Sequence, residues 1–233
     1  MVDNWILFGG WALPPAILRP LFVDNTVYFD ANTITPCLVD NDILSADWQQ
    51  RLYDIVTNEL PVTSASLGIA GWSTGAMLAW SLANRIKPAA GVFISATPSF
   101  CRCRETGFLF GQKSSILRSM RERLSHDVDA VVRDFREQCG IAENPSDVEH
   151  FSPDKLVSGL QFLEQATLLP VNRASFPSLF IHGKHDSIIP AGAGRYFCTQ
   201  AGGTFAEFKG PHAFFFHDPA PVAASIDDFT KRY

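Results

Sequence analysis

Gly71-Trp72-Ser73-Thr74-Gly75 restricts the fold more than any other stretch of the chain. An apolar run, Leu67-Gly68-Ile69-Ala70, leads directly into it, and an Ala-rich apolar run leads out of it as far as Ile86. A strand that becomes a helix within so few residues passes close to its own backbone, so small residues must flank the turn. Ser73 is then held clear of the sheet at the end of its strand. A serine capping a helix after a glycine turn is the blander alternative. The apolar strand ahead of the motif favours the tighter turn.

The rest of the chain supplies a sheet for that strand. Short apolar runs at 5–8, 26–29, 67–70, 91–94, 178–181 and 204–208 are bounded by Gly, Asn or Asp and alternate with helical stretches. The pattern predicts an α/β fold with a mostly parallel sheet of about six strands. Leu44, Trp48, Leu52, Ile55, Val56 and Leu60 form the stripe of an amphipathic helix, with Ser45 as its N-cap. Met77, Leu78, Trp80, Leu82 and Ala83 leave the helix after the turn little polar face, so it should be buried. Val222, Ile226 and Phe229 mark a last helix over 221–232.

Between Phe100 and Pro170 the alternation stops and three helical patterns follow one another. The first carries Ile116, Leu117, Met120 and Leu124. The second carries Val128, Val131, Val132 and Phe135 and stops near Gly140; the third opens at Ser152-Pro153 and carries Leu156, Leu160 and Leu163. The expected organisation is one domain with its core in 1–99 and 171–233. A helical lid, 100–170, interrupts it and covers a pocket for an apolar substrate.

The turn around Ser73 resembles the nucleophile elbow of the α/β-hydrolase fold. A serine hydroxyl is a weak nucleophile at neutral pH. It needs a histidine to take its proton and a carboxylate to hold that histidine in the right tautomer, and both should follow Ser73 in the sequence. The run from Ser178 to Asp186 offers a strand, a Gly turn and then Asp186 as the acid. His212, in Lys209-Gly210-Pro211-His212 beyond the last strand, is the preferred base, with His217 in reserve. His126 and His150 read as solvated or helix-end residues. An oxyanion needs two backbone N–H groups; Thr74 is placed to give one and Trp11, after Gly9-Gly10, the other. His182-x-x-His185 has no third ligand of matching context, so neither a metal nor a cofactor is expected.

Bulk properties exclude several other classes. The net charge of -5 lacks the surplus of Lys and Arg that binding nucleic acid requires. No apolar run approaches the ~20 residues needed to span a bilayer. Asp3 ahead of Trp5-Ile6-Leu7-Phe8, with glycines after, does not read as a secretory signal. Five scattered cysteines, Cys37, Cys101, Cys103, Cys139 and Cys198, suit reduced thiols. A cytoplasmic monomer is the expectation.

Gly9-Gly10-Trp11, Gly71-Trp72-Ser73-Thr74-Gly75, the segments 95–100 and 158–163, and Gly210-Pro211-His212-Ala213 together resemble the pimeloyl-ACP methyl ester carboxylesterases of biotin synthesis. The likeness spans most of the chain. It implies a helical lid and cleavage of a methyl ester from a dicarboxylic acyl chain, with acyl carrier protein as partner. Gly9 stands where the family carries His ahead of Gly-Trp. The N-terminus has no room for the usual first two strands, so the sheet is expected to be trimmed at one edge. The short type of the same esterase also begins close to its Gly-Trp loop.

Acyl carrier protein is acidic and its phosphopantetheine arm carries a phosphate, so a basic lid would suit it. Between Cys101 and Arg123, Arg102, Arg104, Lys113, Arg118, Arg121 and Arg123 face only Glu105 and Glu122. Guanidinium groups bind phosphate in a forked geometry, which makes Arg118, Arg121, Arg133 and Arg136 the docking candidates. A solvated helix face is the alternative. Two other functions fit the same residues: a general carboxylesterase or thioesterase on small acyl esters, and a non-catalytic binding protein of the same fold. An epoxide or haloalkane hydrolase would need Asp where this chain has Ser73.

Overall fold

A computed structural model describes residues 2–22, 26–60, 66–141 and 151–233. Six parallel strands form the sheet: β1 (Asn4–Phe8), β2 (Thr26–Phe29), β5 (Leu67–Trp72), β6 (Ala90–Ile94), β7 (Ser178–Gly183) and β8 (Thr204–Phe208), in the order β2-β1-β5-β6-β7-β8. All six apolar runs became strands. β5 and β7 extend beyond theirs, because Gly71-Trp72 and His182-Gly183 continue the ladder. A two-residue hairpin, β3 (Val39–Asp40) and β4 (Ile43–Leu44), lies apart from the sheet, turned by Asn41 and Asp42 at positive φ.

The strand order reverses at β1, from which the chain runs first to β2 and then to β5 on the other side. The loops leaving β1 and β5 therefore diverge, and a crevice opens at the C-terminal ends of these two strands. Phe8 is paired with Gly71, so residues 9–12 lie beside 72–75.

Helices cover the sheet. α1 (Ala31–Leu38) follows β2 and is capped by Asp30, whose carboxylate accepts from Asn32 N at 2.9 Å. α2 (Trp48–Glu59) starts later than its stripe suggested: Ser45 is not the cap. Asp47 holds that position, and Ser45 O accepts from Trp48 N at 3.1 Å. α3 (Thr74–Ile86) is buried over its first ten residues, and Trp80 packs on Phe93, Phe176, Phe180 and Phe197. α4 (Ser114–Leu124), α5 (Val128–Cys139) and α6 (Pro153–Gln165) lie between β6 and β7 in the chain. α5 ends at Gly140 with φ +86°. α7 (Ala191–Ala201) and α8 (Ala220–Thr230) complete the chain. Among the described residues no helix is long and apolar enough to cross a membrane.

Candidate active site

Ser73 sits at the end of β5 with φ +57° and ψ -120°, a conformation that side-chain-bearing residues rarely adopt. Its N–H donates to Ile94 O at 3.0 Å. The two glycines of the motif make the turn possible. A Cβ on Gly71 would stand 2.2 Å from Gly75 O, and one on Gly75 would stand 2.3 Å from the carbonyl oxygens of both Phe8 and Gly9. The start of α3 therefore touches both its own strand and the loop leaving β1.

Ser73 Oγ lies 2.9 Å from His212 Nε2, and His212 Nδ1 lies 2.7 Å from Asp186 Oδ2. An ionised Asp186 holds the imidazole proton on Nδ1, which leaves Nε2 to accept from the serine hydroxyl. All three residues are buried. The His212 backbone is fixed from the ends of two strands, since its carbonyl accepts from Ser95 Oγ, just after β6, at 2.9 Å and from Trp72 Nε1 of β5 at 3.2 Å. His217, the reserve candidate, is exposed and directed at Gly140 O. His126 is exposed; His150 lies outside the described residues.

Asp186 is heavily tied. Its Oδ1 accepts from the amides of Ile188 and Ile189, each at 2.9 Å. Burial alone would push its carboxyl upward. Attraction to His212 and hydrogen bonds from His182 and His212 outweigh that and hold it well below the usual carboxylate range. In the sequence His182 stands out only as half of a metal-like pair with His185. The fold turns it inward, with Nε2 donating to Ile189 O at 2.8 Å and lying 3.3 Å from Asp186 Oδ2, while His185 is exposed. Its place four residues before Asp186 was the available clue.

A cavity of about 420 Å³ opens over Ser73. Its walls are mainly apolar, from Trp11 after β1, Phe100 after β6, and Leu117, Met120, Val131, Phe135, Leu160 and Leu163 on α4, α5 and α6. Polar groups, Arg123, Asp134 and Gln138, stand on the α4 and α5 walls, and Arg123 and Asp134 form an ion pair. Thr74 and Trp11 both line this space. Among the described residues no carbonyl or side chain accepts from the backbone N–H of either.

The four arginines do not behave alike. Arg118 is exposed and Arg121 partly buried, and both face Glu164, Arg121 at 2.6 Å and Arg118 at 3.9 Å. Arg133 is exposed. Arg136 is a correction: it is buried, and its Nη2 donates to Ala12 O at 3.1 Å, so it is no part of a docking surface. Burial also pushes its guanidinium below its ordinary value.

Residues 45–218 match the family described as serine hydrolase (FSH1), a span that includes Ser73, Asp186 and His212. The chain belongs to the FSH1 serine hydrolases. Beside this FSH1 match, it is 27% identical over 253 aligned positions to a pimeloyl-[acyl-carrier protein] methyl ester esterase of Aromatoleum aromaticum, covering 97% of each chain. It is 27% identical over 164 positions to the protein of the same name in Nitrosomonas europaea, a match that spans 63% of this chain and 62% of that one. Among solved structures it is similar to an esterase from Exiguobacterium antarcticum, with a TM-score of 0.74, 16% identity and coverage of 99% of this chain and 92% of that one. This FSH1 serine hydrolase thus has the α/β-hydrolase fold that its elbow pointed to.

Proposed function

We propose that the protein is a cytoplasmic carboxylesterase that hydrolyses the methyl ester of a pimeloyl chain carried on acyl carrier protein, with Ser73, His212 and Asp186 as its triad. The observation that supports this most is the hydrogen-bonded chain from Asp186 through His212 to Ser73, ending beneath an apolar cavity. The names of the 27% identical relatives favour this substrate.

In this mechanism Ser73 Oγ attacks the ester carbonyl carbon while His212 Nε2 takes the hydroxyl proton. Asp186, held ionised, stabilises the imidazolium that forms. The carbonyl oxygen becomes an oxyanion and receives the N–H groups of Trp11 and Thr74. His212 then gives its proton to the methoxy oxygen and methanol leaves. Water attacks the acyl-Ser73 ester, with His212 again taking a proton, and the free carboxyl is released as that proton returns to Ser73. The segment 100–170 is the lid in this reading, with the acyl chain lying between α4, α5 and α6. Arg118, Arg121 and Arg133 face the acidic carrier. None of these steps requires a metal or cofactor.

The test is Ser73→Ala assayed with pimeloyl-ACP methyl ester beside a panel of short activated esters. Turnover of both should fall to background while the melting temperature is kept, and fluorophosphonate should no longer label the protein. Retained turnover would overturn the assignment of Ser73. Equal kcat/KM for carrier-bound and free esters in the parent would instead favour a general esterase, a breadth compatible with the FSH1 match.

A further inference from the structure

The loop that carries Trp11 is braced at three consecutive peptides, from Gly10–Trp11 to Ala12–Leu13. Asn32, buried in α1, donates from Nδ2 to Gly10 O at 3.2 Å and accepts Ala12 N on Oδ1 at 2.9 Å. Gly10 C=O and Trp11 N–H share one planar peptide unit, so fixing the first fixes the direction of the second. Ala12 has φ +56°, a strained value for a residue with a Cβ, and it persists only if its surroundings hold it. Its N–H is held by Asn32 and its carbonyl by Arg136 Nη2 at 3.1 Å.

Two of these anchors come from helices far along the chain. Arg136 belongs to α5, and the Trp11 indole donates to Leu156 O of α6 at 2.8 Å. Phe135 meets the Trp11 ring edge-on with centroids 4.8 Å apart. Gly159 lets α6 approach: a Cβ there would stand 2.6 Å from Trp11 Cδ1. A cation removed from water this far forfeits much of its hydration unless its hydrogen bonds compensate, which makes a buried arginine a costly way merely to fill space.

We infer that Asn32 and Arg136 are positioning residues that aim the Trp11 amide at the developing oxyanion, so that α5 and α6 help to build the oxyanion hole as well as lining the pocket. This rests on the reading of Trp11 as an oxyanion donor. Neither side chain touches the reacting atoms; each acts through the loop. A donor displaced by a fraction of an ångström loses its value in the transition state while ground-state binding is unaffected, so the effect belongs in kcat.

The experiment compares Arg136→Met, Arg136→Lys and Asn32→Ala on a short p-nitrophenyl ester. It also measures affinity for a trifluoromethyl ketone, whose Ser73 adduct bears an oxyanion, and for the free carboxylate product. We expect kcat to fall about tenfold to a hundredfold in Arg136→Met and Asn32→Ala with KM within about twofold, and Arg136→Lys to recover part of the loss. Trifluoromethyl ketone affinity should fall in proportion to kcat/KM while product affinity holds. An unchanged kcat, a rise in KM alone, or equal loss of both ligands overturns the proposal. If Arg136→Met does not fold, Asn32→Ala and Arg136→Lys decide on the same criteria. Ser73→Ala run in parallel separates the failures. An active Ser73→Ala sinks the site assignment, whereas an inactive one beside undiminished brace variants sinks the brace alone.

Discussion

His182 Nε2 stands 3.3 Å from Asp186 Oδ2, on the same oxygen that His212 engages at 2.7 Å. Asp186 thus has a histidine on either side, one facing Ser73 and one facing the core. Replacing His182 by Leu strips Ile189 O of its donor and Asp186 of one partner in a buried site. The expected cost is about 1–3 kcal/mol of stability, measured by urea unfolding, together with a reduced kcat. Stability and turnover both at parental levels would show that the contact is incidental.

Asp186 also sets a pH dependence whose sign follows from its shift. Its folded value lies below the ordinary carboxylate value of 3.8, so the folded chain binds fewer protons there than the unfolded one. The resulting stabilisation is complete above the unfolded value and is lost as pH falls through the folded one. The stability difference between the parent and Asp186→Asn should therefore be flat from about pH 7 to about pH 5 and shrink below about pH 4. Turnover of Asp186→Asn should fall on the order of 10³ to 10⁴-fold at neutral pH, because the amide favours the wrong imidazole tautomer.

Gly75→Ala tests the turn itself. The added Cβ would stand 2.3 Å from two backbone oxygens, and backbone cannot yield as a side-chain tip can. A loss of more than about 3 kcal/mol, seen as a lowered melting temperature or as insoluble protein, is expected. A variant that melts like the parent would mean that β1 and α3 approach less closely.

Charge reversal at Arg118 and Arg133, both exposed, should lower kcat/KM for a carrier-bound ester several-fold more than for a small ester, and salt should reduce the difference. Equal effects on the two substrates would leave these arginines as a solvated face.

The strands and the Ser73 turn were legible because apolar runs, glycine boundaries and one short motif all act locally. α1 and α7 were not: Thr33, Thr35 and Pro36 in one, and Gly192 and Gly194 in the other, are poor helix formers that tertiary packing overrides. Missing α1 also hid Asn32. Arg136 was read by its charge, yet it lies four residues after Val132 and three before Cys139, on the stripe that α5 buries. Periodicity placed it inside, and charge pulled the reading outward. Asp186 and His212 stand out by their order after the strands, and the spacing of His182 four residues before Asp186 is visible too, but nothing local shows that both imidazoles meet one carboxylate oxygen.

Ser73 and His212 are 139 residues apart, and the His212 carbonyl is held by Trp72 on β5 and by Ser95 just after β6 although His212 follows β8. During synthesis the serine leaves the ribosome long before its partner, and the pair meets only after the last strand has docked on the sheet. In the proposed mechanism the nascent chain therefore has no activated nucleophile while its turn forms, and return of fluorophosphonate labelling after denaturation would time the closing step of assembly.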